Sequence, residues 1–365
     1  MNREAARRSQ GWLWLVVGLS AAVVMALGAI AAFWYWQDAP RQLASDELIV
    51  VIPRGAGVGQ VADQMAKAFG DPTPFWRLLA KATNTRQVVA GYYRFRPGIT
   101  PAEAWRQVVA GEVIRDRLTI IEGWTFAQMQ AAIDSHPYLS HTLAGAAPQT
   151  ILQAIAAKVP FAEGWFFPDT YLFDRMTPDR DLYRQAHEQM VRTVAAVWAE
   201  RDPDLPLGSP EELLILASLI EKETGHPDDR AKVASVFVNR LRRGMPLQSD
   251  PTVVYGVSGR PDGPITRTDL ARDHAHNTYT RSGLPPTPIA LPSLASLKAA
   301  AHPERTDYLY FVATGTGGRS HFSRTLSEHN RAVKAYRAAV AANSASGSSS
   351  TAPGESSREQ VGGQP

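Results

Sequence analysis

The chain reads as an α+β protein: one N-terminal transmembrane helix, a small α/β module, then a larger mixed α+β domain. Three observations carry that reading. Residues 11–36 contain no charged side chain. Residues 47–116 alternate short strand-like and helix-like runs. Residues 117–342 mix both periodicities around Leu213–Ile220, a stretch apolar on nearly every side and therefore suited to a helix inside a core. At 365 residues the chain is long enough for two compact domains plus extensions.

Composition narrows the function classes. Lys and Arg number 38 against 35 Asp and Glu, a net charge of +3, and no basic run is interleaved with aromatics, which argues against a nucleic-acid partner. Cysteine is absent, so disulfide scaffolds and thiolate metal sites are excluded.

Residues 1–10 carry Arg3, Arg7 and Arg8 against one acid, Glu4. The apolar run 11–36 is long enough to span a hydrocarbon core of ~30 Å at about 1.5 Å per residue. Trp12 and Trp14 at one end and Trp34, Tyr35 and Trp36 at the other suit interfacial belts. The positive flank places residues 1–10 in the cytoplasm and the remainder outside. The run exceeds the roughly 7–15 apolar residues of a cleaved signal, so it reads as a retained anchor.

Residues 37–46 form a polar linker, and 47–116 a β-α-α-β-α module. Its strands fall at Glu47–Pro53 and Gly91–Phe95, its helices at Val58–Ala68, Pro74–Thr83 and Ala102–Ala110. Leu118–Ile121 opens the larger domain as a strand, and Thr125 caps a helix over Phe126–Ser135. Residues 137–160 look irregular and helical in patches. In Glu163-Gly164-Trp165-Phe166-Phe167, an acid beside three aromatics could bind a sugar ring or simply pack in a core. Asp181–Glu200 is a long amphipathic helix.

The central segment starts with Ser209 as cap, Pro210 at the first helical position and Glu212 completing a capping box. The buried helix that follows delivers Glu221, Lys222 and Glu223 at its end. A carboxyl delivered that way is partly desolvated, which favours its neutral, proton-donating form. Glu221 stacks over Ala217 and Ser218, small side chains that leave room for substrate, and Glu223 over the bulkier Leu219 and Ile220. This favours Glu221 as an acid; two solvated glutamates at an ordinary helix end are the alternative. Asp228–Arg243 forms the next helix, with Gly244 as its stop. Gln248–Gly256 reads as a polar, turn-forming stretch. After a loop-rich region come a helix at Ser293–Ala301, strands at Tyr308–Ala313 and Arg319–Ser323 joined by a glycine-rich turn, and a helix from the Thr325/Glu328 capping box to about Ala341. Residues 343–365, rich in Ser and Gly, are expected to be disordered. His302, His321 and His329 lack the i, i+4 spacing of a helical zinc site, and His321 reads instead as a hydrogen-bonding support.

Three ordered runs resemble the endolytic murein transglycosylase (YceG-like) family: Ile220-Glu221-Lys222-Glu223-Thr224; Val233-Ala234-Ser235-Val236-Phe237 with Asn239-Arg240-Leu241; and Leu247-Gln248-Ser249-Asp250-Pro251-Thr252-Val253. Further matches are Glu122–Thr125, Glu163–Tyr171, Asn277-Thr278-Tyr279 and Gly283–Pro286. Where the family usually carries Tyr before that Asn, this chain has His276.

The resemblance implies an inner-membrane, single-pass enzyme with its catalytic domain in the periplasm. It implies cleavage of the MurNAc-β-1,4-GlcNAc bond of peptidoglycan with formation of 1,6-anhydro ends, ending or trimming glycan strands. Residues 47–116 are similar to a LysM-like module, either glycan-facing or a spacer, and 117–342 to the catalytic domain. Implied partners are glycan strands, the membrane, peptidoglycan synthases and the elongation or division machinery. No cofactor or metal is implied. Glu221 is the expected acid, with Gln248, Asp250, Thr252, Asn277, Tyr279 and Glu223 binding substrate or positioning the acid. A muramidase pairing Glu221 with Glu223 or Asp250, and a non-catalytic wall-binding scaffold, are the alternatives.

The topology has a direct test. Protease added to intact spheroplasts should digest the region after residue 36; digestion only after lysis of the inner membrane would reverse the orientation.

Overall fold

The computed structural model describes residues 3–257, 265–314 and 318–346. The chain divides into two compact units, Met1–Asp116 with Phe173–Arg175, and Arg117–Leu172 with Met176–Pro365.

The first unit holds α1 (Arg3–Asp38), β1 (Leu48–Ile52), α2 (Val58–Phe69), α3 (Thr73–Ala82), β2 (Gly91–Phe95) and α4 (Pro101–Ala110). Within α1, Trp14–Asp38 is long and apolar enough to cross a membrane. Its end differs from the expected aromatic belt. Trp34 and Tyr35 are exposed, but Phe33 and Trp36, one turn apart on one helix face, are buried in the unit's core. Trp36 lies 5.3 Å from Phe75 and 5.5 Å from Trp76 between ring centroids. The expected linker is also tied down. Arg41 pairs with Asp71 at 3.1 Å, Asp71 accepts the Trp76 indole N–H, and Arg41 exchanges backbone bonds with Gly98 and Ile99.

β1 and β2 pair antiparallel with Val50 opposite Tyr93. Their alternation puts Val50, Ile52, Tyr93 and Phe95 inside, against Val61, Met65, Trp76 and Trp105. Thr100 and Glu103 form a reciprocal capping box at the start of α4, and Gly111 closes it at φ 71°.

β3 (Arg115–Thr119) leads to α5 (Phe126–Asp134), β4 (Leu139–Ser140), α6 (Pro148–Ala154), β5 (Thr170–Asp174), β6 (Thr177–Pro178) and α7 (Asp179–Ala199). β3 pairs with β5, and β4 runs parallel to β6. The second unit is then built around α8 (Pro210–Glu223), whose residues Leu213–Ile220 are all buried. Packed against α8 are α7, α9 (Arg230–Arg242, after a 3-10 turn at Pro227–Asp229), the short α10 (Asp250–Gly256) and, beyond α11 (Arg267–Ala271), α12 (Leu294–Ala301). β7 (Tyr310–Ala313) and β8 (Ser320–Ser323) form an antiparallel pair, and α13 (Leu326–Ser346) ends the described chain.

Local departures have local causes. Ser209 Oγ accepts the Glu212 N–H, but Glu212 returns to the Gly208 N–H rather than to Ser209, so only half of the expected box forms. The stretch expected to be turn-forming becomes α10, because Pro251 sits at the start and Asp250 in the first turn, both favourable there. α13 runs through residues 343–346, where disorder was expected; the rest of that tail and most of the Gly315–Gly318 turn lie outside the described residues.

Removing a buried aromatic costs about 3–5 kcal/mol. Trp36→Ala should therefore lower the unfolding free energy of the first unit by about that much, and exposed Trp34→Ala by well under 1 kcal/mol. Denaturant titration of the detergent-solubilised chain, followed by tryptophan fluorescence, checks this.

Candidate active site

The last turn of α8 sends its three charged side chains to three different places. Glu221 Oε2 accepts the backbone N–H of Ser293 at 2.9 Å and its hydroxyl at 2.5 Å. Ser293 is the N-cap of α12, so this carboxyl closes a helix terminus. Lys222 Nζ donates to the Gly123 carbonyl at 3.2 Å. Glu223 Oε1 accepts the hydroxyl of Ser249 at 2.5 Å, immediately before α10.

The small side chains one turn before Glu221 lie in the core. Ala217 and Ser218 are fully buried, and Ser218 Oγ accepts the Ile289 N–H at 3.0 Å. The space lies one residue pair further on. Glu223, Arg240, Leu247, Gln248, Asp250, Phe311 and Val312 line a small pocket.

Electrostatics single out the same residue. Burial pushes the Glu223 carboxyl up to about 8; the Ser249 hydroxyl opposes the shift, the Asp250 carboxylate adds to it and the Arg240 guanidinium opposes it. Burial also raises Asp250, against the pull of the Tyr279 hydroxyl, which donates to Asp250 Oδ1 at 2.5 Å. A neutral acid at pH 7 thus stands beside a hydrogen-bonded carboxyl.

The other expected site residues divide into two groups. Gln248 and Asp250 face the pocket, with Tyr279 behind Asp250. Thr252 and Asn277 are fully buried scaffold. Thr252 Oγ1 donates to the Ser249 carbonyl at 2.6 Å and meets Thr278 Oγ1 at 2.9 Å. Asn277 Nδ2 donates to the carbonyls of Leu270 and Arg272, and its Oδ1 receives the Tyr279 N–H. They hold together the two segments that present Ser249 and Tyr279.

Arg240 and Glu163 are two further charged groups, one buried and one half-buried. Arg240 lies in the family-like run, but nothing in its spacing shows that it is buried and holds the carbonyls of Leu247 and Leu309. Glu163 is a second raised carboxyl, up to about 7. Burial is the main cause; the bonds from the Phe126 N–H, the Tyr255 hydroxyl and the Gly164 N–H, with the Lys222 charge, oppose it. Of the three aromatics after it, Trp165 and Phe166 are buried in the core and Phe167 is half-buried. Gly164 allows this turn: at φ 81°, a Cβ there would meet Pro288 at 2.6 Å.

His276 places its ring 4.9 Å from Tyr255 and shares a hydrogen bond with Thr287 Oγ1. His321 is exposed on β8 rather than supporting the site. Among the described residues, no cluster of three His, Asp or Glu side chains is spaced to hold a metal ion.

Residues 50–335 match the YceG-like family. An endolytic murein transglycosylase of Bacillus subtilis is 32% identical over 328 residues, covering 84% of this chain and 90% of that protein. One from Streptococcus pneumoniae is 26% identical over 347 residues, covering 85% of this chain; the match spans 62% of the pneumococcal protein, less than two thirds of its length. The crystal structure of a yceG-like protein from Listeria monocytogenes is 26% identical, covers 79% of this chain and 99% of that one, and superposes with a TM-score of 0.49.

The Glu223 shift makes stability depend on pH. An unfolded glutamate ionises near 4.5, whereas this one holds its proton to about 8. Across that window the unfolded state has released a proton that the native state keeps, so stability falls as pH rises. The contribution is about 1 kcal/mol per pH unit. Glu223→Gln should flatten that part of the slope between pH 5 and 8, which urea titrations of both proteins at each pH will show.

Proposed function

The chain belongs to the YceG-like family, and on that premise we propose that it is a membrane-anchored endolytic lytic transglycosylase with Glu223 as its acid. The observation that carries the reading is the position of Glu223: a carboxyl that burial keeps neutral at pH 7, at the end of a buried helix, facing a pocket shared with Gln248 and Asp250.

The bond cleaved is MurNAc-β-1,4-GlcNAc. Neutral Glu223 gives its proton to the bridging oxygen as the bond from muramyl C1 to that oxygen breaks, and the GlcNAc hydroxyl leaves. The muramyl C6 hydroxyl closes on C1, and its proton returns to the Glu223 carboxylate. The product is a 1,6-anhydro end, no water is consumed, and a single carboxyl suffices where ordinary glycosidases need two. Ser249 steers the acid by donating to its Oε1. Asp250, held by Tyr279, and Gln248 receive the sugar's polar groups.

The anchor reading assigns α1 to the inner membrane, with residues 1–10 in the cytoplasm and both units in the periplasm. The element order of residues 47–116, with β1 and β2 antiparallel, supports a LysM-like module. Glycan strands under synthesis are the substrate, and the synthases and elongation or division machinery that make them are the partners. Asp250 in the pocket supports one second reading, a two-carboxylate muramidase, whose product would be a plain reducing end.

Purified peptidoglycan digested by the detergent-solubilised chain should release anhydro-muropeptides, and Glu223→Gln should lower the rate by at least about 10²-fold with folding retained. Glu221→Gln keeps one acceptor for the Ser293 cap, so it should lose about 1 kcal/mol of stability and most of the activity should remain. An inactive but folded Glu221→Gln beside an active Glu223→Gln would return the acid to Glu221.

A further inference from the structure

Arg240 is 5% exposed, and no carboxylate lies within ion-pair distance of it among the described residues. A buried cation left without an ion pair is costly, and protein interiors rarely keep one without a use. Its guanidinium is held instead by neutral acceptors. Nε donates to the Leu309 carbonyl at 2.7 Å, and Nη1 to the carbonyls of Pro246 and Leu247 and to Gln248 Oε1 at 3.1, 2.9 and 3.1 Å. The ring of Tyr310 lies 5.1 Å below it. These contacts reach β7 and the Pro246–Gln248 loop from α9, so the cation is fixed in place.

Two features of the pocket depend on it. Glu223 and Arg240 line the same space, and their charges act on each other. Gln248 sits at φ 53°, a left-handed conformation uncommon for a residue with a side chain, and its amide oxygen is bound to Arg240.

We propose that Arg240 is a positioning residue for the reaction: a fixed buried cation that stabilises the Glu223 carboxylate formed on proton donation and holds Gln248 toward the substrate. The inference rests on Glu223 being the acid. Burial alone would keep the proton on Glu223 too firmly; the neighbouring cation makes the proton transferable and readies the carboxylate to receive the C6 hydroxyl proton. Asp250, Arg240 and Tyr279 act on Glu223, and Tyr310 lies beside the arginine. The planar fork that binds four acceptors cannot be reproduced by lysine, although lysine keeps the charge.

The test is the pH profile of anhydro-muropeptide release by the full chain in detergent, together with its urea stability from pH 5 to 9. Removing a nearby cation raises a carboxyl's pKa by about one unit or more. Arg240→Gln should therefore move the alkaline limb of kcat up by about one pH unit and lower kcat by about tenfold or more, with KM changed less. Its stability should also keep falling to a higher pH than the wild type's, a readout that needs no turnover. Arg240→Lys should leave the alkaline limb in place while lowering kcat through loss of the Gln248 contact. A folded Arg240→Gln with an unmoved limb and an unchanged stability profile would overturn the proposal. Where Arg240→Gln does not fold, Arg240→Lys decides: wild-type kcat, or a limb displaced upward despite the retained charge, would overturn it. An active Glu223→Gln would refute the acid assignment separately, and the stability profile would still report whether the two charges are coupled.

Discussion

The enclosure of α8 is the constraint on which the second unit depends. Eight consecutive residues, Leu213–Ile220, are removed from water, which requires neighbours on every side. α7, α9, α10 and α12 supply them. A helix held all round cannot slide or turn without opening cavities, so the side chains leaving its last turn are aimed by the whole core. The result is a division of labour over three residues. Glu221 caps α12, Lys222 holds the Gly123 carbonyl, and Glu223 lines the pocket.

That pocket gathers costs that a folded protein usually avoids: a neutral glutamic acid, a second raised carboxyl at Asp250, a buried guanidinium and a residue at positive φ. Each is tolerable because a short hydrogen bond or a set of carbonyls holds it. Together they place proton donors, acceptors and one cation where solvent screens their charges less than at the surface. The Thr252–Thr278 hydroxyl contact and the Asn277 side chain, which accepts the Tyr279 N–H, fix the two segments from which Ser249 and Tyr279 reach the two carboxyls.

Elements governed by local rules were legible in the sequence. Gly91–Phe95 alternates and is a strand over those same residues; the Thr125 and Thr325 signals each start a helix; the charge-free run lies within one helix. What sequence could not show was which of two glutamates, two positions apart, meets the pocket. The decision comes from Ser293, 72 residues beyond Glu221, and Ser249, 26 beyond Glu223. Helical stacking over Ala217 and Ser218 suggested room at Glu221, but Ile289 fills it from a distant loop. Arg240 was hidden for the same reason, because its partners at Leu309 and Tyr310 are distant in sequence. Trp36 was assigned to an interfacial belt by its place at the end of an apolar run, and only contact with Phe75 and Trp76 reveals it as core.

The burial of Phe33 and Trp36 also has a mechanical meaning. The apolar helix is not a tether from which the first unit swings, since two of its aromatics are part of that unit's interior and Arg41 clamps the chain just beyond. Helix and unit turn as one body, like a key and its shaft. Because successive helical residues are about 100° apart, adding one residue ahead of Phe33 would rotate the unit by roughly that angle relative to the preceding helix face. Whatever grips the outer face of the helix therefore also sets the direction in which β1, β2 and α4 look.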